Sequence, residues 1–239
     1  MRKLTVSVDT AAAIRESRKE RQPDPVAAAI IAEFAGADGI SIHLRMDKKH
    51  IRDRDLYILR ETVKTRLNLH IAPSPEMIER ALEVKPSEVT LLPEHSGELA
   101  TEQGFDMRGQ ADEIASIANQ LSAAGSRVFA LIDPDPDFIK PAVKAGLDGV
   151  EFFAHNYTAS MSINERKLEI SKIAKAFEAA QKHELETRIA GGLDYINVLP
   201  ILQSIEISEF IIGHNIFARA VIIGLDKAVR EMVDIVKFY

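Results

Sequence analysis

A (β/α)8 TIM barrel with additional decorating helices is the fold class this sequence predicts, on three observations. Short apolar runs recur along the whole chain, each followed by a helix-period stretch. That alternation repeats eight times in 239 residues, a length that an α/β barrel commonly fills as one domain. No linker or compositional break interrupts it, so residues 1–239 read as a single domain. Unbroken strand–helix alternation puts the strands in parallel and the helices outside. A doubly wound open sheet would need a glycine-rich turn after the first strand, and Asp9-Thr10-Ala11-Ala12 is not one.

Leu4, Val6 and Val8 alternate with Thr5, Ser7 and Asp9, which makes a first strand closed by Asp9. The stretch from Glu16 to Asp24 is charged. Asp24 then reads as an N-cap and Pro25 as the first helical position of a helix that stops at Gly36. The second strand, Gly39 to Leu44, turns Ile40, Ile42 and Leu44 to one face and Ser41, His43 and Arg45 to the other. A helix from about Arg54 to Thr65 follows. Leu67 to Ile71 is the third strand, and Ser74-Pro75-Glu76 caps the next helix, to about Val84. Ser87 to Leu92 is the fourth strand. Glu94 to Gly109 has no apolar period, as in a lid or binding loop. A helix is expected over Ala111–Ala123, strand five over Arg127–Ile132, and a helix over Asp135–Ala145. Strand six is Gly149 to Phe153, with a helix over about Asn164–Lys182. Strand seven is Thr187 to Ala190, with a helix from about Ile196. Strand eight is Glu209 to Ile212, before a last helix carrying Val221, Leu225, Val229 and Met232.

The bulk chemistry narrows the function. Hydrophobic residues make up 46% and charged residues 28%, ordinary for a globular protein. A net charge of −6 argues against a nucleic-acid partner, since phosphate backbones need clustered basic surface. With no cysteine there is no disulfide, thiolate nucleophile or zinc–thiolate site. No apolar run is long enough to span a bilayer, and the N-terminus enters a strand without a signal-peptide core. The expectation is a cytoplasmic enzyme with neither nucleic-acid nor membrane partners.

Barrel enzymes work at the C-terminal ends of their strands. Asp9, His43, Arg45, His70, Glu151, Arg188 and His214 are the polar residues that the pattern sends there. So many titratable groups at one mouth are costly unless paired or used. Gly191-Gly192 and Gly213-His214-Asn215 follow strands seven and eight, where this fold usually binds phosphate. Glycines there let backbone N–H groups approach an anion. Arg18, Arg45, Lys48 and Lys49 are candidates for a second anion site. Asp9, His43 and His70 are a conceivable divalent-metal set, but Arg45 and Lys48 beside them would repel a cation, so no metal is expected.

The run His43-Leu44-Arg45-Met46-Asp47-Lys48-Lys49-His50-Ile51 is long and specific. With Pro23-Asp24-Pro25-Val26, Ala37-Asp38-Gly39-Ile40, Asp53-Arg54-Asp55, Pro93-Glu94 and Ile212-Gly213-His214, it resembles the pyridoxine 5'-phosphate synthase family of vitamin B6 biosynthesis. The similarity runs from the first strand to the last helix. It implies a transferase that condenses 1-deoxy-D-xylulose 5-phosphate with 3-amino-2-oxopropyl phosphate. The products are pyridoxine 5'-phosphate, inorganic phosphate and water, with no cofactor required. It implies His43 as general base, Asp9, Arg45 and His50 at the deoxyxylulose phosphate, and Glu151 supporting a transition state. Arg18, Gly192, Gly213 and His214 would hold the aminoketone phosphate. The family is typically octameric, so a homo-oligomer is expected.

Five positions depart from the family pattern. Ser7 and Thr10 replace an asparagine and a histidine around Asp9, and His70 stands where the family carries a catalytic glutamate. Ala100 replaces a lid threonine. Ala190-Gly191-Gly192 lacks the histidine of an Ala-Gly-His-Gly loop. These residues remain candidates for their family roles, His70 as an acid–base group and Ser7, Thr10 and Ala100 as substrate contacts. Anion-binding positions govern affinity and proton-moving ones the barrier, so retained ligand binding with slow turnover is expected. A barrel that only binds a phosphorylated B6-related ligand, or one that runs another Schiff-base or aldol reaction on sugar phosphates, is the competing reading.

Overall fold

The computed structural model of the chain describes residues 1–94 and 101–239. Eight strands run in chain order: β1 (Lys3–Ser7), β2 (Gly39–His43), β3 (Leu67–Ile71), β4 (Glu88–Leu91), β5 (Arg127–Ile132), β6 (Gly149–Phe153), β7 (Glu186–Ala190) and β8 (Glu209–Ile212). Each pairs in parallel with the next, and β8 closes onto β1 through Leu4↔Phe210 and Val6↔Ile212. Every residue of β2, β3, β4, β6 and β8 is buried, as expected of parallel strands covered on both faces. Outward-facing Ile40, Ile42, Leu69 and Phe152 join the apolar layer under the helices.

The helices are α1 (Asp9–Arg18), α2 (Pro25–Phe34), α3 (Asp53–Thr62), α4 (Pro75–Val84), α5 (Met107–Ala123), α6 (Ile139–Lys144), α7 (His155–Ala159), α8 (Ile163–Gln181), α9 (Val198–Ser204), α10 (His214–Ile223) and α11 (Leu225–Phe238). Their starts follow the expected capping chemistry. The Asp24 carboxylate accepts from Val26 N at 2.9 Å ahead of Pro25, and Ser162 with Glu165 forms a reciprocal capping box.

Several elements differ from the sequence expectation. Asp9 opens α1 rather than closing a strand. That helix hides from a periodicity search because one of its three buried side chains is Arg15, held by Asp55 at 2.7 Å, instead of an aliphatic residue. Helix α5 begins four residues early, since Asp106 caps it. A single turn of 3-10 helix at Pro136–Phe138 precedes α6. The short α7 lies in what sequence read as loop. The last helix is two, α10 and α11, divided at Gly224, whose φ of +86° a side chain would strain.

Arg188 is the main misplacement. Its parity is inward as expected, but it lies level with Glu209, the first residue of β8, at the N-terminal end of the barrel. There it is fully buried, 2.7 Å from Glu88 and 3.2 Å from Glu209, with its guanidinium 3.4 Å from the Phe129 ring centroid. Arg66 joins the same pair of carboxylates, at 3.0 Å and 2.9 Å. Parity fixes the face of a strand residue, whereas its height along the barrel depends on register. Among the described residues no helix is long and apolar enough to cross a membrane.

Candidate active site

A cavity of about 560 Å³ opens at the C-terminal end of the barrel. Strand parity brings His43, His70 and Glu151 to it from β2, β3 and β6. The connections after β1, β2, β7 and β8 supply Asp9 and Thr10, Arg45 and His50, Gly191 and Gly192, and Gly213 and His214. Ser7 also lines it. Arg18 does not: it lies at the exposed end of α1, away from the cavity. Ala100 lies outside the described residues.

On the floor, two histidines sit in opposite electrostatic settings. His70 Nε2 is 3.1 Å from Glu151 Oε2, and its Nδ1 is 3.2 Å from Ser41 Oγ. Burial disfavours the charged ring, yet the Glu151 carboxylate outweighs it, and the His70 pKa is raised above the ordinary imidazole value. The Thr90 hydroxyl donates to Asn68 Oδ1 at 3.0 Å and stands 3.4 Å from Glu151 Oε2. His43 is buried too, and there burial wins: its pKa falls below the ordinary value. Glu94 is its nearest carboxylate partner at 3.7 Å, too far for a hydrogen bond, and His43 Nε2 is left without one. The two settings push the rings apart, His43 toward the neutral imidazole and His70 toward the charged one.

The β1–β2 side is anchored by Asp9. One carboxylate oxygen accepts from His43 N at 2.9 Å and the other from Ser7 Oγ at 2.8 Å. Arg45 is buried and forks onto Asp47 at 3.1 and 3.2 Å, with Glu94 at 3.4 Å. Burial opposes the Asp47 charge, but Arg45 and Lys49 hold its carboxyl well below the usual range. Glu94 is likewise depressed despite burial, by His43, the Met46 N–H and Arg45. The His50 ring meets His43 edge-on at 6.0 Å between centroids and accepts from Ile51 N at 2.8 Å.

Across the cavity, Gly191 and Gly192 have φ of +101° and +74°. A side chain at Gly191 would meet the Phe153 ring at 2.7 Å, and one at Gly192 the Thr158 hydroxyl at 2.5 Å. Gly213 packs as closely on Ser7, at 2.8 Å for an added Cβ, and leads directly into α10. Asn215, which the sequence reading mentioned but gave no role, ties the two loops: its amide donates to Gly192 O at 3.3 Å and Leu193 O at 2.9 Å. The N-terminus of α10 thus meets a rigid glycine turn, a setting suited to an anion. Sequence reasoning missed His155, Thr101 and the apolar shelf Leu92, Leu131 and Phe153, all of which line the same space or pack beside it. His155 carries no motif; only the β6–β7 pairing reveals it.

Comparison with known proteins agrees with this architecture. The family model described as pyridoxal phosphate biosynthesis protein PdxJ matches residues 4–238. A pyridoxine 5'-phosphate synthase of Geobacter sp. (strain M21) is 48% identical over 238 residues, covering 100% of both chains. One from Synechococcus sp. (strain JA-2-3B'a(2-13)) is 45% identical over 232 residues, covering 97% of each. Among solved structures, KGPDC from Streptococcus mutans superposes with a TM-score of 0.68 at 12% identity, over 99% of this chain and 98% of that one. TrpF from Jonesia denitrificans gives 0.60 at 15% identity, over 99% and 97%. At such identities the structural likeness speaks for the barrel alone.

Proposed function

The chain belongs to the pyridoxal phosphate biosynthesis protein PdxJ family, and from that premise we propose that it is a pyridoxine 5'-phosphate synthase. It condenses 1-deoxy-D-xylulose 5-phosphate with 3-amino-2-oxopropyl phosphate. The observation that carries the reading is the pairing, in one cavity, of two anion-suited walls with a floor of oppositely tuned histidines. Environments that push two like groups apart in pKa assign an acid and a base.

His43, neutral through burial, is the general base. His70 takes the complementary part. Held as the imidazolium by Glu151, it donates a proton where the family uses a carboxylate, so it serves as an acid rather than a base. Arg45 and His50 hold the deoxyxylulose phosphate, with Asp9 orienting its polyol through contacts backed by Ser7 and flanked by Thr10. The Gly192 and Gly213 N–H groups, with His214 at the start of α10, hold the aminoketone phosphate. Arg18 has no part in a site built from one chain.

The test is a reaction with both substrates, following pyridoxine 5'-phosphate. Turnover with both and none with either alone is expected; absence of product would overturn the assignment. We further propose a cytoplasmic homo-oligomer that uses no cofactor, nucleic acid or membrane. Phe34, Val221 and Ile222, 76–79% exposed, are apolar side chains that assembly would cover. A light-scattering mass near the 26.5 kDa of one chain would contradict the oligomer.

A further inference from the structure

The strand-seven loop of this chain contains no histidine, yet the cavity wall at that point carries one from the neighbouring connection. His155, the first residue of α7, lines the cavity beside Gly191 and Gly192. The two loops are clamped together. Ala154 N donates to Ala190 O at 2.7 Å, and the Thr158 hydroxyl lies 3.2 Å from both Gly191 O and His155 O.

The His155 ring is also oriented. It stacks on Phe153, with centroids 5.6 Å apart and planes 11° from parallel. Phe153 is itself buried against Leu92 and Leu131. The Phe153 ring also lies where a Gly191 side chain would be, only 2.7 Å from an ideal Cβ. The bare α-carbon of Gly191 therefore gives Phe153 its seat, and Phe153 gives His155 its plane. The imidazole nitrogens have no hydrogen-bond partner among the described residues, and the side chain is open to solvent. A ring held by stacking, with both nitrogens uncommitted and water at hand, is suited to carry protons between a bound molecule and bulk solvent. A purely structural histidine is more often tied through a nitrogen.

We propose that His155 is a catalytic residue of the condensation, acting as the proton shuttle on the β6–β7 side of the cavity. In its charged form it donates a proton to a hydroxyl leaving the bound intermediate. The C–O bond breaks and its electron pair leaves with oxygen as water, while the neutral His43 takes the proton of an adjacent C–H bond, whose electron pair forms the new C=C bond; the neutral His155 ring is then reprotonated from solvent. The proposal rests on the synthase reading.

The experiment compares the wild type with His155→Ala and His155→Gln in the two-substrate assay, with and without added imidazole. Thermal unfolding of each variant is measured alongside, and exposure of this residue should leave it unchanged. The expected result is a fall in kcat of about a hundredfold or more at nearly constant KM, with partial recovery of His155→Ala alone by free imidazole. Phe153→Leu should lower kcat less while retaining His155. An active wild type whose His155→Ala variant keeps kcat within about threefold, or whose loss imidazole does not relieve, overturns the role of His155. An inactive wild type overturns the synthase reading instead.

Discussion

His70 and Glu151 meet, both buried, across the barrel floor, with Nε2 3.1 Å from Oε2. The Glu151 carboxylate raises the pKa of His70, whereas the nearby His43 has burial without a comparable partner and its pKa is lowered.

This difference sets a pH profile. His43 must be neutral, so activity is lost as pH falls through its depressed pKa. His70 must be charged, so activity is lost as pH rises through its raised pKa. The two limbs therefore bracket the ordinary value of 6.5. Glu151→Gln removes the carboxylate and leaves the burial, so the alkaline limb should move down, toward or below that value. A pH–rate series on both proteins checks it; an alkaline limb that stays in place would remove Glu151 as its cause.

His70→Gln keeps a hydrogen-bonding side chain but cannot exchange a proton. Its kcat should fall by about two to four powers of ten with KM nearly unchanged. Steady-state kinetics decide this, and a rise in KM at constant kcat would recast His70 as a binding residue.

Gly191→His would seem to restore the histidine that the strand-seven loop lacks. The structure predicts the opposite. At φ +101°, with the Phe153 ring 2.7 Å from the new Cβ, the side chain must displace Phe153 or distort the turn. Strain and overpacking of this kind cost about 1–3 kcal/mol each. Lower thermal stability and weaker phosphate binding by calorimetry are expected, with no gain in turnover.

Arg188→Ala tests the other end of the barrel. Glu88 and Glu209 would keep Arg66 but lose a fully buried partner, and Phe129 its stacked cation. Breaking such a pair destabilises by about 3–5 kcal/mol. Chemical denaturation should show that loss, while KM for both substrates stays close to wild type because Arg188 lies outside the cavity.

Local chemistry was sufficient for much of this protein. Alternation of apolar runs with helical stretches determined eight strands, and their parity determined that His43, His70 and Glu151 face inward, because side chains alternate at every residue. The run from His43 to Ile51 and the two glycine turns pointed to the mouth for the same local reason. What depends on contacts between distant segments was decided only by the closed barrel. Register lowered Arg188 to the N-terminal end, where Glu88 and Glu209 wait on other strands. A buried Arg15 satisfied by Asp55, 40 residues away, made a helix of α1 despite its missing apolar stripe. The opposite pKa directions of His43 and His70 trace to Glu151, which lies 81 residues from His70. His155 joined the site through strand pairing, with no signature of its own. Electrostatic and packing energies act through space, so a chain order that fixes faces leaves partners to be settled by the fold.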